Sequence, residues 1–329
     1  MKKALLLNPE AAFQRGSNGE TPLHIAARKG NVDALSYLIR KGANKNADDN
    51  SDRTPLHVAA TGNYPEIVRE LLLLLDHGAD INAQNVHGCT ALLESARFGY
   101  EESCAMLLSR GANTEVALCE SEENVTPLLL AARTGKHGII KQLLDHGANI
   151  EAKTTFGWTA LHEAAEHGHE ESCVLLLSRG MHVDSRSTEG HTPLFLAAGR
   201  GFLKSVKSLV EHGADVNKRC DDIRLTPLLQ AALYGHDEVF SFLLDHGGDI
   251  HTTDINGGSI LWHVVGRSGP GFLNITRTLL DRGARMDSCS AARTCVYHNA
   301  LGYGPREIVE FLSQRGGDSS CSLGDGAMG

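Results

Sequence analysis

The sequence predicts an all-α repeat solenoid, and three observations carry that prediction. A tetrad, Thr21-Pro22-Leu23-His24, recurs in related form from Thr54, Thr90, Thr126, Thr159, Thr192 and Thr226, with degraded copies from Ser259 and Cys295. The starts lie 33, 36, 36, 33, 33, 34, 33 and 36 residues apart, a period at which each repeat buries its apolar face only against its neighbours. Within one period, two short apolar stretches with helical spacing are closed by glycines. Such a chain offers a surface for holding another molecule rather than a pocket for chemistry.

The stretch from Thr126 to Trp158 shows how each element arises in order. Thr126 is a good helix N-cap, because its hydroxyl can accept from a backbone N–H one turn on. Pro127 suits the first helical position, where no N–H is needed. Leu128, Leu129, Ala131 and Ala132 make a short helix whose small alanines permit close packing, and Gly135 ends it. A second helix follows, with Ile139, Ile140, Leu143 and Leu144 on one stripe. Asp145-His146-Gly147 closes that helix, Gly147 supplying the left-handed residue. Ala148 to Trp158 has too few apolar residues for a helix and reads as an extended, hairpin-like finger leading to the next cap.

This pattern closely resembles the ankyrin repeat family. The matching pieces are the Thr-Pro-Leu-His tetrad, the alanine pairs (Ala26-Ala27, Ala59-Ala60, Ala131-Ala132, Ala164-Ala165, Ala197-Ala198, Ala231-Ala232) and the closing Gly-Ala-Asp/Asn (Gly42, Gly78, Gly111, Gly147 and Gly213). They stay in register over about Thr21 to Gly316. The resemblance implies helix–loop–helix–finger units stacked into a curved array, with the first helices and the fingers lining its concave side.

The chain then divides into a trimmed N-terminal cap over 1–20, a repeat array over 21–316 and a disordered tail over 317–329. Lys2 to Leu7 read as the end of a second helix. In the second repeat the second helix, Glu66 to Asp76, runs one turn longer than usual. The third repeat has a longer acidic finger with Glu115, Glu120, Glu122 and Glu123. The repeat from Ser259 lacks the proline and carries Gly269-Pro270-Gly271 as an extra turn between its helices. Glu101 to Gly111 and Glu170 to Gly180 are near copies, which points to duplication of a two-repeat block.

A net charge of −9 argues against a generic nucleic-acid binder, since phosphate contact needs clustered positive charge. The eight cysteines are scattered with no Cys-x-x-Cys pair, and read as free thiols in a reducing compartment, cytoplasmic or nuclear. The N-terminal apolar run is too short for a signal peptide and Leu71 to Leu75 cannot span a bilayer. A soluble monomer with no membrane contact and no cofactor is expected.

Seventeen histidines invite a metal or catalytic reading, but most have a structural place. His24, His57, His162 and His298 hold the fourth tetrad position, within reach of the capping residue. His77, His146, His212 and His246 precede a closing glycine, where a cation favours a helix C-terminus. His162-Glu163-Ala164-Ala165-Glu166-His167 mimics a zinc-protease motif, but its histidines are five apart and leave a helix about 140° from each other. No G-x-S-x-G, P-loop or dinucleotide fingerprint is present, so an enzyme is the weaker reading.

In the family's geometry the outward positions are those after the alanine pair and those before the capping threonine. The first set gives Arg28, Lys29, Arg97, Phe98, Arg133, Glu166, His167, Arg200 and Tyr234; the second gives Arg53, Val125, Trp158, His191 and Leu225. Phe156 joins Trp158 on one finger. Arg28, Arg97, Arg133 and Arg200 suggest a basic row, mixed in sign with the acidic finger, and so a protein partner rather than nucleic acid. The expected function is a non-catalytic scaffold or adaptor that holds a protein on the concave face and fingers, with no metal and no catalytic residue. The alternatives are a substrate-recruiting subunit of a larger complex such as a ubiquitin ligase, an enzyme, or a substrate of the asparagine hydroxylases that modify fingers in this family, at Asn82 or Asn217.

Overall fold

The computed structural model describes residues 14–62, 65–118, 123–221, 223–286 and 295–316. The expected cap helix over Lys2 to Leu7 and the tail over 317–329 lie outside them, as do Cys119, Cys289, Cys321, Glu120 and Glu122. The chain forms two compact halves, Met1–Glu163 and Ala164–Gly329.

The first half holds four helix pairs: α1 Pro22–Arg28 and α2 Val32–Arg40, α3 Pro55–Gly62 and α4 Pro65–Leu73, α5 Ala91–Phe98 and α6 Glu101–Ser109, α7 Pro127–Arg133 and α8 His137–Asp145. Helix α9, Ala160–Glu166, begins at its end. The second half continues with α10 Glu170–Ser178, α11 Pro193–Arg200, α12 Leu203–Glu211, α13 Pro227–Leu233, α14 Asp237–Asp245, α15 Ile260–Val265, α16 Pro270–Asp281, α17 Val296–Tyr303 and α18 Arg306–Gln314. Within each half, first helices pack on first helices and second on second, in chain order.

Alanine pairs sit where the first helices meet. Ala26, Ala27, Ala59, Ala60, Ala131 and Ala132 are fully buried in the first half, and Ala164, Ala165, Ala197, Ala198, Ala231 and Ala232 in the second. A bulkier side chain at that contact would drive the helices apart. The second helices supply the large apolar groups, such as Leu35 and Leu38 in α2 or Val206 and Leu209 in α12, all fully buried. Each such leucine contributes about 1.5–3 kcal/mol by leaving water.

The tetrad caps its helix in two ways. Where its fourth residue is not histidine, the cap hydroxyl accepts from the third helical N–H, as Thr192 does from Phe195 at 3.2 Å and Ser259 from Trp262 at 3.2 Å. Where it is histidine, the imidazole takes over. His57 Nδ1 accepts from the Thr54 backbone N–H at 3.1 Å and lies 2.9 Å from Thr54 Oγ1. Its Nε2 donates to the Cys89 carbonyl at 2.9 Å, in the next finger. His24 makes the same bridge to the Arg53 carbonyl at 2.7 Å. The carbonyl can only accept, so both rings are neutral with the proton on Nε2. Burial lowers the pKa of each. The histidines before closing glycines do the opposite job: Nδ1 of His146, His212 and His246 donates to the carbonyl four residues back, at 2.9, 2.7 and 2.8 Å.

Two expectations about helices are corrected. The α4 helix keeps the nine-residue length of its counterparts, and the inserted turn forms a separate 3₁₀ segment, Leu75–His77, closed by Gly78 at φ 93°. Gly269-Pro270-Gly271 is no extra turn: Gly269 caps α16, whose twelve residues begin at Pro270. A Cβ on Gly271 would overlap the Gly235 carbonyl oxygen, so glycine is what lets α16 start against the preceding repeat.

The fingers are compact turns, and among the described residues an isolated bridge, Thr253 to Ser259, is the nearest approach to a strand. One small polar side chain five residues before the cap organises most of them. Asp49 Oδ1 accepts from the Ser51 and Arg53 N–H groups at 2.8 and 3.0 Å. Asn85 does so for His87 and Cys89, both at 2.9 Å, and Asp254 for Asn256 and Gly258 at 2.8 and 2.7 Å. Thr154 and Ser187 serve Trp158 and His191 through their hydroxyls at 3.1 and 3.0 Å. Backbone bonds then join neighbouring fingers, Val86 N–H to the Ser51 carbonyl at 3.1 Å and Asp221 N–H to the Glu189 carbonyl at 3.0 Å.

Candidate functional site

The residues after the alanine pairs stand at the C-terminal ends of the first helices, where the chain turns towards the second helix. Arg28, Lys29, Arg97 and Phe98 are exposed there in the first half, and His167, Arg200 and Tyr234 in the second. The rings come in stacked pairs two residues apart across the turn: Phe98 with Tyr100 at 5.8 Å, His167 with His169 at 6.3 Å, Tyr234 with His236 at 6.4 Å. In the last pair the inner ring is anchored, His236 Nε2 donating to the Gly199 carbonyl at 3.0 Å. That anchor holds the outer ring in place. Tyr234 is 61% exposed and Phe98 49%, apolar surface that the described residues leave in contact with water.

The basic row is not a row of unpartnered cations. Arg28 is ion-paired with Glu20. Arg133 is clamped between Glu123 at 2.8 Å and the fully buried Glu163, and those hydrogen bonds raise its pKa further. Arg200 reaches Glu166 at 2.5 Å, with the Glu166 side chain mostly covered while that of Arg200 stays 62% exposed. The surface is therefore mixed in sign, residue by residue.

The positions before the cap behave differently from their expected outward role. Val125 is fully buried and Leu225 nearly so. Arg53 is half-buried, its guanidinium bidentate on Asp49 Oδ2 at 2.9 and 2.7 Å. Trp158 is half-buried and stacks on His162 at 6.4 Å; His191 stacks on Phe195 at 4.7 Å. An i to i+4 relation across the cap lays these rings along the following first helix. Phe156, at the finger tip, does face solvent, at 55% exposure.

Asn82 and Asn217 each bridge to the next repeat. The Asn113 N–H donates to Asn82 Oδ1 at 2.8 Å and the Asp249 N–H to Asn217 Oδ1 at 2.9 Å. Asn46, Glu115 and Asp184 hold the same place for Asp80, Asn149 and Asp215. Sequence reading missed this ladder and the finger organisers. The organisers share a small polar residue five before the cap, and the ladder a polar or acidic residue four after the closing glycine, each of varying identity.

The zinc-protease mimic is taken apart by the fold. His162 is buried against Thr159, with Nδ1 accepting from its N–H at 3.2 Å, while His167 is on the surface. Among the described residues no three His, Cys, Asp or Glu side chains are placed to hold a metal ion. Five cysteines, Cys89, Cys104, Cys173, Cys220 and Cys295, are buried free thiols. Burial pushes the Cys104 thiol up to about 11 and that of Cys173 to about 12, which suppresses the reactive thiolate. No described helix is long and apolar enough to cross a membrane.

Capped helix pairs tied finger to finger, with solvent-facing rings and charges at their ends, define a helical-repeat interaction fold. The family models for "Ankyrin repeats (3 copies)" match residues 2–85, 114–187, 181–254 and 228–322, and that for "Ankyrin repeat" matches 87–117; the chain belongs to the ankyrin repeat family, whose repeats are protein-interaction modules. It is 31% identical over 104 residues to the human transient receptor potential cation channel subfamily A member 1, and 37% identical over 95 residues to human neurogenic locus notch homolog protein 4. Those alignments cover 31% and 29% of this chain but 9% and 5% of the relatives' lengths. Among solved structures, the human ASB11 ankyrin repeat domain superposes with a TM-score of 0.62 at 28% identity, over 70% of this chain and 99% of that one.

Proposed function

We propose that the chain is a non-catalytic adaptor that binds a protein partner at the ends of its first helices and at its finger tips, as a monomer in a reducing compartment and without a cofactor. The observation that carries this reading is the repeated placement of an exposed ring stacked on a second ring across the turn, Phe98 on Tyr100 and Tyr234 on His236. Rigid presentation means little ordering entropy is lost on binding. Exposed Tyr and Arg are the residue types that dominate interface energetics, at about 2 kcal/mol or more each when they act as hot spots. Buried, weakly acidic thiols suit a chain that keeps its cysteines reduced.

The test is affinity capture on the full chain, with Phe98→Ala, Phe156→Ala and Tyr234→Ala each compared with wild type. All three side chains are solvent-facing, so their circular dichroism should match wild type. A captured partner should be lost or weakened about tenfold or more by at least one of them. A partner retained equally by all three places the interface elsewhere.

A further inference from the structure

The position eight residues after the cap changes character between the halves. In the first half it reads Lys29, Gly62, Phe98 and Thr134; in the second it reads His167, Arg200, Tyr234, Arg267 and Tyr303. All five of the latter are exposed, Tyr303 at 78%. They belong to first-helix ends that pack in sequence, α11 on α13, α13 on α15 and α15 on α17. The row is continuous: Arg200 pairs with Glu166 of the preceding repeat, Arg267 lies over the Phe272 ring at 6.0 Å, and a Cβ on Gly266 would stand 3.5 Å from Tyr303 Cβ. Beneath it, turn glycines are covered by rings of the following repeat, Gly168 by Phe202, Gly201 by His236 and Gly235 by Phe272. The row therefore stands on a packed base.

Its charge alternates with the same two-repeat period. The second helices beside His167 and Tyr234 open with acids, Glu170-Glu171 and Asp237-Glu238. Those beside Arg200 and Arg267 open with none, at Leu203-Lys204 and Pro270-Gly271. Among the described residues no carboxylate stands within 4.0 Å of Arg267. Resting on the adaptor reading above, we infer that this row receives an extended protein segment whose carboxylates meet Arg200 and Arg267, with an apolar side chain on Tyr234 between them. Packed helices lie about 8–10 Å apart and an extended chain advances about 3.3–3.6 Å per residue, so the two carboxylates fall about five or six residues apart. A nucleic acid fits poorly, because its phosphates come every few ångströms and would meet the acids that flank His167 and Tyr234.

Selection of a random linear peptide library displayed on phage, against the immobilised full chain, tests this. The selected peptides should be enriched in Asp or Glu pairs about five or six residues apart with an apolar residue between. A synthetic peptide of that consensus should lose at least tenfold in affinity on Arg267→Glu and on Tyr234→Ala, and much less on Arg282→Glu, a charge reversal at the far end of a second helix where Arg282 pairs with Asp245. Peptides without acidic pairs, or a consensus indifferent to Arg267→Glu, overturn this inference and leave the adaptor reading standing. A single-stranded RNA binding the row more tightly than the peptide overturns it too. No enrichment of any peptide, together with failure of the capture experiment above, removes both.

Discussion

Arg133 at the end of α7 grips Glu163 in the next first helix through two parallel hydrogen bonds, Nε to Oε2 at 2.9 Å and Nη2 to Oε1 at 2.8 Å. Glu163 is fully buried and the arginine side chain 30% exposed, so the pair is an internal weld with one wet edge. Removing one partner of such a pair strands a buried charge, at a cost of about 3 kcal/mol; removing both is far milder. Arg133→Met should therefore lower stability by about 3 kcal/mol, and Arg133→Met with Glu163→Leu should recover most of that. Urea unfolding followed by Trp158 fluorescence, with Trp262 replaced by Phe, reports on this region. Equal stability of single and double variants would contradict the pairing.

The neutral tautomer of His24 and His57 makes stability depend on pH. Burial of the imidazole lowers both folded-state pKa values below 6.5, as it does for His263 despite Asp254 beside it. The unfolded chain then binds protons that the folded chain refuses, so the contribution is complete above pH 6.5 and is lost as pH falls below it. Urea midpoints measured from pH 7.5 down to pH 5 should fall, and His57→Gln should fall less steeply. Histidine NMR should show Nδ1 of His57 unprotonated at neutral pH.

The first finger depends on Asp49, which is 4% exposed. Burial alone would raise its pKa, but hydrogen bonds from Arg53 and from the Ser51 and Arg53 N–H groups outweigh it and the pKa is lowered. Its contribution is therefore present above the ordinary value of 3.8 and is lost as pH falls below that. Asp49→Ala leaves those donors unsatisfied and should cost about 2 kcal/mol. Amide exchange at Ser51 and Arg53 should accelerate with it, and unchanged exchange would show that the turn holds itself.

The two cysteines of the duplicated block should be inert in the native state. With thiols at about 11 and about 12, the ionised fraction at pH 8 is about one in a thousand or less. Cys104 further shares a 3.0 Å contact with Ser95 Oγ. Iodoacetamide labelling with peptide mapping should leave both unmodified for as long as the repeats stay closed, and should modify both in urea. Rapid native labelling would mean that α6 and α10 open locally.

Repeat boundaries, helix order and caps were legible in the sequence because their causes are local. Thr126-Pro127 starts a helix and Gly147 ends one whatever lies beyond. What escaped was set by partners far along the chain or by residues sharing a role but not a name. Arg133 and Glu163 are 30 positions apart. The finger organisers Asp49, Asn85, Thr154 and Ser187 share only a small polar group at one distance from the cap. Val125 and Leu225 were misread as outward, although an apolar side chain before the cap has the next first helix to cover. The row through Arg267 and Tyr303 went unread because the alanine pair that marks the outward positions is replaced there by Val264-Val265 and Ala300-Leu301.

That degraded last tetrad supplies a final prediction. Cys295 occupies the N-cap of α17 with extended backbone, φ −76° and ψ 163°, the conformation the capping threonines adopt. Its thiol lies 2.9 Å from His298 Nδ1, where Thr54 and Thr21 place a hydroxyl. Sulfur is a weak hydrogen-bond donor, so the cap is poorly made in a repeat with a neighbour on one described side. Cys295→Thr should restore the hydroxyl–imidazole cap and stabilise the repeat by about 1 kcal/mol. Hydrogen exchange in wild type should find 259–316 opening before 126–213, since its caps are the poorer ones. In the variant, α17 and α18 should exchange more slowly while α11 to α14 keep their rates. Slower exchange across the whole second half would instead make the last repeat part of one cooperative block, and no change in α17 would show that the thiol caps as well as the hydroxyl.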